Sequence, residues 1–312
     1  MNTAQPQSYA PIVVVAYARA DHLQRTLDAL AANPGAEHSE LLVYCDGARN
    51  ADDLAAVLAT RAVARAATGF RAVSLIERAE NIGLAQNIIS AVSETVEVYR
   101  RVIVVEDDIF TAPGFLSFMN RALDMYRDTS EVYHISGWNY PIDPGGLDDA
   151  FFLRVMNCWG WATWADRWQH FEREPQELLK RFSPEQRQAF NLEGSHDFFE
   201  QIESNAAGTK TTWAIFWYAA IFLRGGLCLN PSSSLVENIG FDGTGENCGA
   251  SPIAQAEPGR GTHISFPSMV RENDVAVGRI KQSLHRTFAK RFAAALGRMV
   301  NGMRQLLGRA SA

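Results

Sequence analysis

Three consecutive carboxylates end an apolar run: Arg101-Val-Ile-Val-Val-Glu106-Asp107-Asp108. Burying unpaired carboxylates is costly, so a triplet of this kind calls for a cation, a donor-rich ligand or water. Its hard oxygen donors suit Mg2+ or Mn2+, ions that commonly bind through one or two carboxylates plus the phosphates of a substrate. A cation so held would stabilise a diphosphate leaving group as a Lewis acid. Out of context the triplet reads equally well as an acidic exit from a strand. Arg19 follows the first apolar run, where a guanidinium can grip a phosphate in bidentate fashion or form a surface salt bridge. Asp46-Gly47 ends the second run and could accept from a base or ribose, although Asp-Gly is also a plain turn signal. Asn81 opens the stretch NIGLAQN, where a helix begins and its backbone N–H groups could face an anion. Neither GxGxxG nor GxxxxGK[ST] occurs, so the dinucleotide and P-loop fingerprints are absent.

The elements that must position these residues alternate in type. PIVVVAY (11–17) is a continuous apolar run, as a central parallel strand buried on both faces requires, and LLVYCD (41–46), RAVSLIE (71–77) and RVIVVEDD (101–108) read as the second, third and fourth strands. Between them lie helical patterns: one with Asp21 as N-cap and Leu23, Leu27 and Leu30 on one face, an Ala-rich one to about Ala67, and one over 84–100. Strands alternating with helices predict an α/β fold with a mostly parallel central sheet. Ligands of such sheets bind beyond the carboxyl ends of the strands, which puts Arg19, Asp46 and Glu106–Asp108 on one rim.

The second half changes character. EVYHISGWN (131–139) and FFLRV (151–155) read as strands, and a helix is expected around 212–224 before a Pro/Ser/Gly-rich stretch. All seven tryptophans fall between Trp138 and Trp217. The spacing of Trp161, Trp164 and Trp168 fits one face of a helix, with core packing as its simplest purpose. Trp138 and Trp159, beside Gly137 and Gly160, are better suited to stacking on a sugar ring, with Asn139 alongside.

Charge is unevenly spread. The 312 residues carry a net charge of −6, yet no acid follows Asp274 and residues 275–312 hold eight Lys/Arg, leaving −14 for the remainder. An acidic globule argues against non-specific nucleic-acid binding. Cys45, Cys158, Cys228 and Cys248 form no CxxC pair, which disfavours a zinc cage and fits idle thiols in a reducing compartment. The N-terminus is polar and lacks a signal core, and the longest apolar run, Trp213 to Leu223, is too short to span a bilayer. In the tail, Val277, Ile280, Leu284, Phe288 and Phe292 recur every three or four residues among cations. That pattern predicts a basic amphipathic helix for an anionic membrane surface; docking on the globule or across a homodimer interface is the alternative.

Taken in order, AYAR (16–19), YCDG (44–47), NIGLAQN (81–87), VVEDD (104–108), FTAPGFLSFMNRAL (110–123), ISGWN (135–139) and WGWATWADRW (159–168) resemble inverting GT-A glycosyltransferases. The similarity is to the N-acetylglucosaminyltransferase I family and to bacterial sugar transferases with an EDD motif, over roughly residues 11–245. The resemblance implies a GT-A-like (Rossmann-like) fold, a nucleotide-sugar donor such as a UDP-sugar, and a glycan or lipid-linked glycan acceptor. It implies Mn2+ or Mg2+ held chiefly by Asp108, Glu106 and Asp107 on the donor sugar and ribose, Arg19 on the diphosphate, Asp46 on the uracil and Asn81 nearby. The expected domain limits are 1–248 for the transferase, with 11–130 the donor half and 131–248 the acceptor half, followed, from composition and periodicity, by a linker at 249–274 and the tail at 275–312. An inverting transfer needs a general base at the acceptor hydroxyl. The resemblance implies a carboxylate near a Trp in a segment like 211–217, but here that segment reads TTWAIFW. Asp242, Glu237 and Asp197 are the replacements considered, and the expectation is a cytoplasmic, peripherally membrane-associated enzyme with a relocated base. A catalytically silent sugar- or nucleotide-binding partner is the first rival. A glycoside hydrolase is the second, disfavoured because nothing pairs another acid with the triplet across a sugar.

Overall fold

A computed structural model describes residues 9–241 and 264–285. The chain runs β1 (Ile12–Ala16), α1 (Ala20–Ala31), β2 (Glu40–Cys45), α2 (Leu54–Ala66), β3 (Ala72–Glu77), α3 (Leu84–Tyr99) and β4 (Arg101–Glu106). It continues through β5 (Ile109–Thr111), α4 (Phe115–Met125), β6 (Val132–Ser136), β7 (Ala150–Leu153), β8 (Trp161–Trp164) and α5 (Ala165–Trp168). Then come α6 (Pro175–Arg181), α7 (Pro184–Phe190), α8 (Phe199–Ala206), α9 (Ala214–Leu223), β9 (Leu227–Pro231) and β10 (Val236–Asn238). A last helix starts at 274 and reaches 285, where the described residues end.

Eight strands form one sheet in the order β3-β2-β1-β4-β8-β6-β9-β7, and β5 pairs with β10 in a separate ribbon. The first four run parallel; β8 enters antiparallel between β4 and β6, and β7 is antiparallel to β9 at the edge. The result is a mixed α/β, Rossmann-like architecture with a mostly parallel sheet. The middle residues of β1, β2 and β4 are apolar because both faces of these strands are covered. Val13, Val15, Val102 and Val104 pack with Ile88 and Val92 of α3 and with α9 on one face. Ile12, Val14, Ile103 and Val105 pack with Leu23, Leu27 and Leu30 of α1 and with Phe115 and Met119 of α4 on the other. The chain steps outward from β1 to β3, and α3 then carries it back to β4 on the far side of β1. Strand order therefore reverses between β1 and β4, and a crevice opens beyond their carboxyl ends.

Three expectations are corrected. Trp161 and Trp164 do not share a helical face with Trp168: they belong to strand β8, and only Trp168 lies on a helix, α5. Spacings of three and seven mimic a helix here because strand passes directly into helix between them. The linker assignment fails over 264–274, since Phe266 packs on Phe118 and Tyr126, Ser265 bonds Asp149, and Glu272 pairs with Arg154 at 2.7 Å and extends the β7 edge by bridging Phe152. The start of the tail is not a free membrane-facing face either. Ala276, Val277 and Ile280 are buried in the core containing α9, and Lys281 pairs with Glu193. Residues 286–312, which carry the rest of that expectation, lie outside the described residues, as do 242–263.

Ile280 is fully buried and Val275 is exposed on the same helix. Ile280→Ala should therefore cost about 2–4 kcal/mol in chemical denaturation, and Val275→Ala less than about 0.5 kcal/mol.

Candidate functional site

A cleft of about 490 Å³ sits over the carboxyl ends of β1, β2 and β4. Its floor is built by strand exits. The β1–β4 ladder continues one step, with Asp107 N–H donating to Val15 O, so Glu106, Asp107 and Asp108 leave the sheet directly beneath the opening. Arg19 leaves β1 at the N-cap of α1 and reaches across to both aspartates, with Nη2 bound to Asp107 and, at 3.0 Å, to Asp108. Asp107 is satisfied on its second oxygen by Tyr17 N–H at 3.1 Å, and Thr26 Oγ1 donates to its carbonyl. Asp107 is thus an anchor between strand exits, with little capacity left for a ribose. Among the described residues none donates a hydrogen bond to the Glu106 carboxylate, which faces the cleft.

The electrostatics follow from this placement. Burial, reinforced by Asp108 and Asp107 and opposed by Arg19, pushes the Glu106 carboxyl up to about 8. Burial also raises Asp107, to about 6, with Arg19 restraining the rise and Asp108 adding to it. Burial disfavours the Arg19 charge, but the two aspartates outweigh it and hold the guanidinium more firmly protonated than usual. The segment after β10 closes one side: Ile239 N–H donates to Asp108 O, and Gly240 lies so close that a Cβ there would meet Asp108 Oδ2 at 2.2 Å. Only glycine fits at that approach.

Other anticipated residues have different employment. Asp46 reaches the cleft, but it accepts from Gly47 and Ile82 N–H on Oδ1 and from Gly83 N–H on Oδ2, each at 2.9 Å. The anion at the start of α3 is therefore the protein's own carboxylate, leaving little for a uracil. Asn81 does not line the cleft; its Nδ2 donates to Gly47 O and fixes the same turn. Tyr17 and Arg49, which the sequence reading passed over, form the wall there: the guanidinium lies over the Tyr17 ring at 4.9 Å and Tyr17 Oη donates to Asp53. Their signal was position alone, one residue after β1 and four after β2.

The opposite wall comes from the second half and is uncharged: Gln201, Thr211, Thr212, Trp213, Cys158, Trp159 and Asn238. The TTWA segment thus lines the cleft, without a carboxylate. Trp159 stacks edgewise on Trp138 at 5.0 Å and on Phe241 at 5.6 Å, forming a half-buried aromatic ledge, and Tyr140 completes it. Asn139 is buried behind this ledge, donating to Ser232 O. Trp161, Trp168, Trp213 and Trp217 form a chain of buried ring contacts in the core, with Trp161 stacked on Trp213 and Trp168 tilted against Trp161 and Trp217.

Two base candidates are misplaced. Glu237 lies between Val236 and Asn238 on β10, so strand alternation points it away from the face on which Asn238 meets the cleft. Asp197 is exposed and caps α8, accepting from Glu200 N–H and Asn191 Nδ2. Asp242 lies outside the described residues. Of the cysteines, Cys45 is sealed under β1 and its thiol is pushed by burial to about 12, which removes it as a nucleophile.

Among the described residues no three His, Cys, Asp or Glu side chains converge on one point. A divalent cation still fits the donor set: among the described residues none donates to Asp108 Oδ1 or to Glu106, and Mg2+ or Mn2+ accepts one or two carboxylates when phosphates and water complete its shell. No helix among the described residues is long and apolar enough to cross a membrane. No family model matches the chain.

Because the Glu106 pKa is raised above its ordinary value of 4.5 to about 8, the folded state holds that proton more tightly than the unfolded chain. The associated stability is complete below pH about 4.5 and is lost as pH rises through about 8. The protein without ligands should lose about 1–2 kcal/mol between pH 5 and 9, and Glu106→Gln should flatten much of that slope in urea titrations.

Proposed function

We propose that the protein is a metal-dependent inverting glycosyltransferase of GT-A type, moving a sugar from a nucleoside diphosphate donor to a glycan or lipid-linked glycan. The observation that carries this reading is the pairing of an acid-and-arginine floor with a neutral, aromatic opposite wall across one cleft at the reversal of strand order. The sheet order 3-2-1-4 with an antiparallel strand next to β4 supports the GT-A assignment over a plain dinucleotide fold.

The floor carries net negative charge, so a diphosphate can enter only with a cation. When bound, Mg2+ or Mn2+ on Asp108 would neutralise the leaving diphosphate. Arg19 supplies a second positive charge beside it, and Tyr17 with Arg49 offers a flat surface to the nucleobase. Glu106 is free to accept from donor-sugar hydroxyls. Trp159, with Trp138 behind it, gives the acceptor ring an apolar face, while Gln201 and Thr211 provide neutral hydrogen-bonding partners. The general base is assigned to Asp242, which directly follows Phe241, a ring packed on Trp159.

One observation favours a second reading, a binding protein without turnover: every described carboxylate that lines the cleft belongs to the donor side. Turnover separates the two. With UDP or a UDP-sugar and Mn2+ near 100 times their Kd, the melting temperature should rise by about 5 °C, and Asp108→Ala should abolish the rise. Absence of any shift overturns the reading. Asp242→Asn should keep donor binding and lower transfer at least about 100-fold. Donor binding with neither transfer nor hydrolysis by the wild type establishes the silent binder instead.

A further inference from the structure

We propose that Arg19 is a resident counter-cation which competes with the divalent cation for Asp108, so that cation and diphosphate bind cooperatively through the movement of this one side chain. The inference rests on the reading of the cleft as a cation-and-diphosphate site.

Arg19 is held from below, as the N-cap residue between β1 and α1, and its guanidinium spans Asp107 and Asp108 through Nη2. The two aspartates differ in what they have besides this contact. Asp107 also accepts from Tyr17 N–H, whereas the Asp108 carboxylate receives no second donor from the described residues and is pressed by Gly240. Asp108 is therefore the partner Arg19 can surrender. A divalent ion on Asp108 would stand within a few ångströms of a guanidinium already bound there, and like charges at that distance in a partly buried site repel strongly. Asp108 cannot serve both at full strength.

Arg19 also has unused capacity. Its Nη1 is buried and makes no hydrogen bond to the described residues, an arrangement that costs free energy in the ligand-free protein. A diphosphate oxygen offers that group a charge-assisted partner and draws the fork off Asp108. Each ligand thus removes an obstacle to the other: the cation releases Arg19 toward phosphate, and phosphate releases Asp108 toward the cation. Reciprocity of the coupling is then a thermodynamic necessity.

The test measures Mn2+ binding by the paramagnetic signal of the free ion, with and without UDP, in wild type and Arg19→Gln. Loss of the competitor should tighten binding of Mn2+ alone by about 10-fold, while UDP, which strengthens Mn2+ binding to the wild type, should do so far less in the variant. If the wild type binds Mn2+ with UDP but the folded variant binds Mn2+ alone no more tightly, Arg19 is not a competitor and the inference falls while the cleft reading stands. If the wild type binds no Mn2+ even with saturating UDP, both fall. Should Arg19→Gln fail to fold, the wild type suffices: Mg2+ alone should shift the Arg19 Nε–H resonance, assigned by its loss in Arg19→Lys, and an unmoved resonance overturns the inference.

Discussion

The site depends on where negative charge is forced to emerge. β4 is sandwiched between β1 and β8 and its four middle residues are buried, so it carries charged side chains only at its two ends. The first residues free to be charged are those at its exit, and three of them are acids. Burial, with the neighbouring acids adding to it, raises the protonation of Glu106 and Asp107. Among the described residues the cation paired with them is Arg19, from the neighbouring exit of β1, which bonds Asp107 and Asp108 and leaves Glu106 without an ion pair. The described part of the cleft is thus built around acids that Arg19 alone does not balance.

A few ångströms of sequence logic separate this from Asp46, which sits at the equivalent exit from β2. Asp46 is also buried, but its two oxygens receive three backbone N–H groups, one from Gly47 beside it and two from Ile82 and Gly83 in the turn leading into α3. Gly47 makes this possible by approaching the Glu80 carbonyl more closely than any side chain would allow. The same residue type therefore does opposite work on adjacent strands. Asp46 is internally neutralised and shapes the wall, whereas Glu106 and Asp108 keep oxygen atoms to spend on a ligand. Carboxylates that look alike in a motif differ according to how many N–H groups the local backbone turns toward them.

That difference marks what was legible in the sequence. β1, β2 and β4 were readable because burial demands apolar runs, the half-exposed edge strand β3 because it alternates with helices, and the acid cluster because it ends one of the runs. The rim positions of Arg19, Asp46 and Glu106–Asp108 followed from topology. What Asp46 and Asn81 do there did not, since it depends on turn geometry that no periodicity encodes. β8 was misread because an antiparallel strand in mid-sheet is buried at every position and shows no alternation, so tryptophans at 161 and 164 run into Trp168 on α5 with helix-like spacing. β9 escaped notice because its Asn230 and Pro231 look like loop; Asn230 is tolerated at the core because its carboxamide accepts from Asn157 and donates to Cys228 O. The distant partner, 73 residues away, is invisible to a local reading.

The tail shows the same principle acting on charge. An amphipathic basic segment carries no label saying which surface its apolar face meets, and a membrane is the natural guess when its cations have no acids nearby in sequence. The acids are supplied from elsewhere in the fold: Glu193 meets Lys281, and a backbone carbonyl at Asp143 takes Arg279. Glu193 also binds Arg154, which in turn holds Glu272, so the first turns of this helix close a network joining the β7 edge to the loop after α7. Two of the eight tail cations are thereby part of the globule, and six fall within 286–312. A net charge of +8 on the last 38 residues is therefore not one property. Part of it is structural, spent on the acidic body, and any argument for an anionic surface as partner rests on the remaining six.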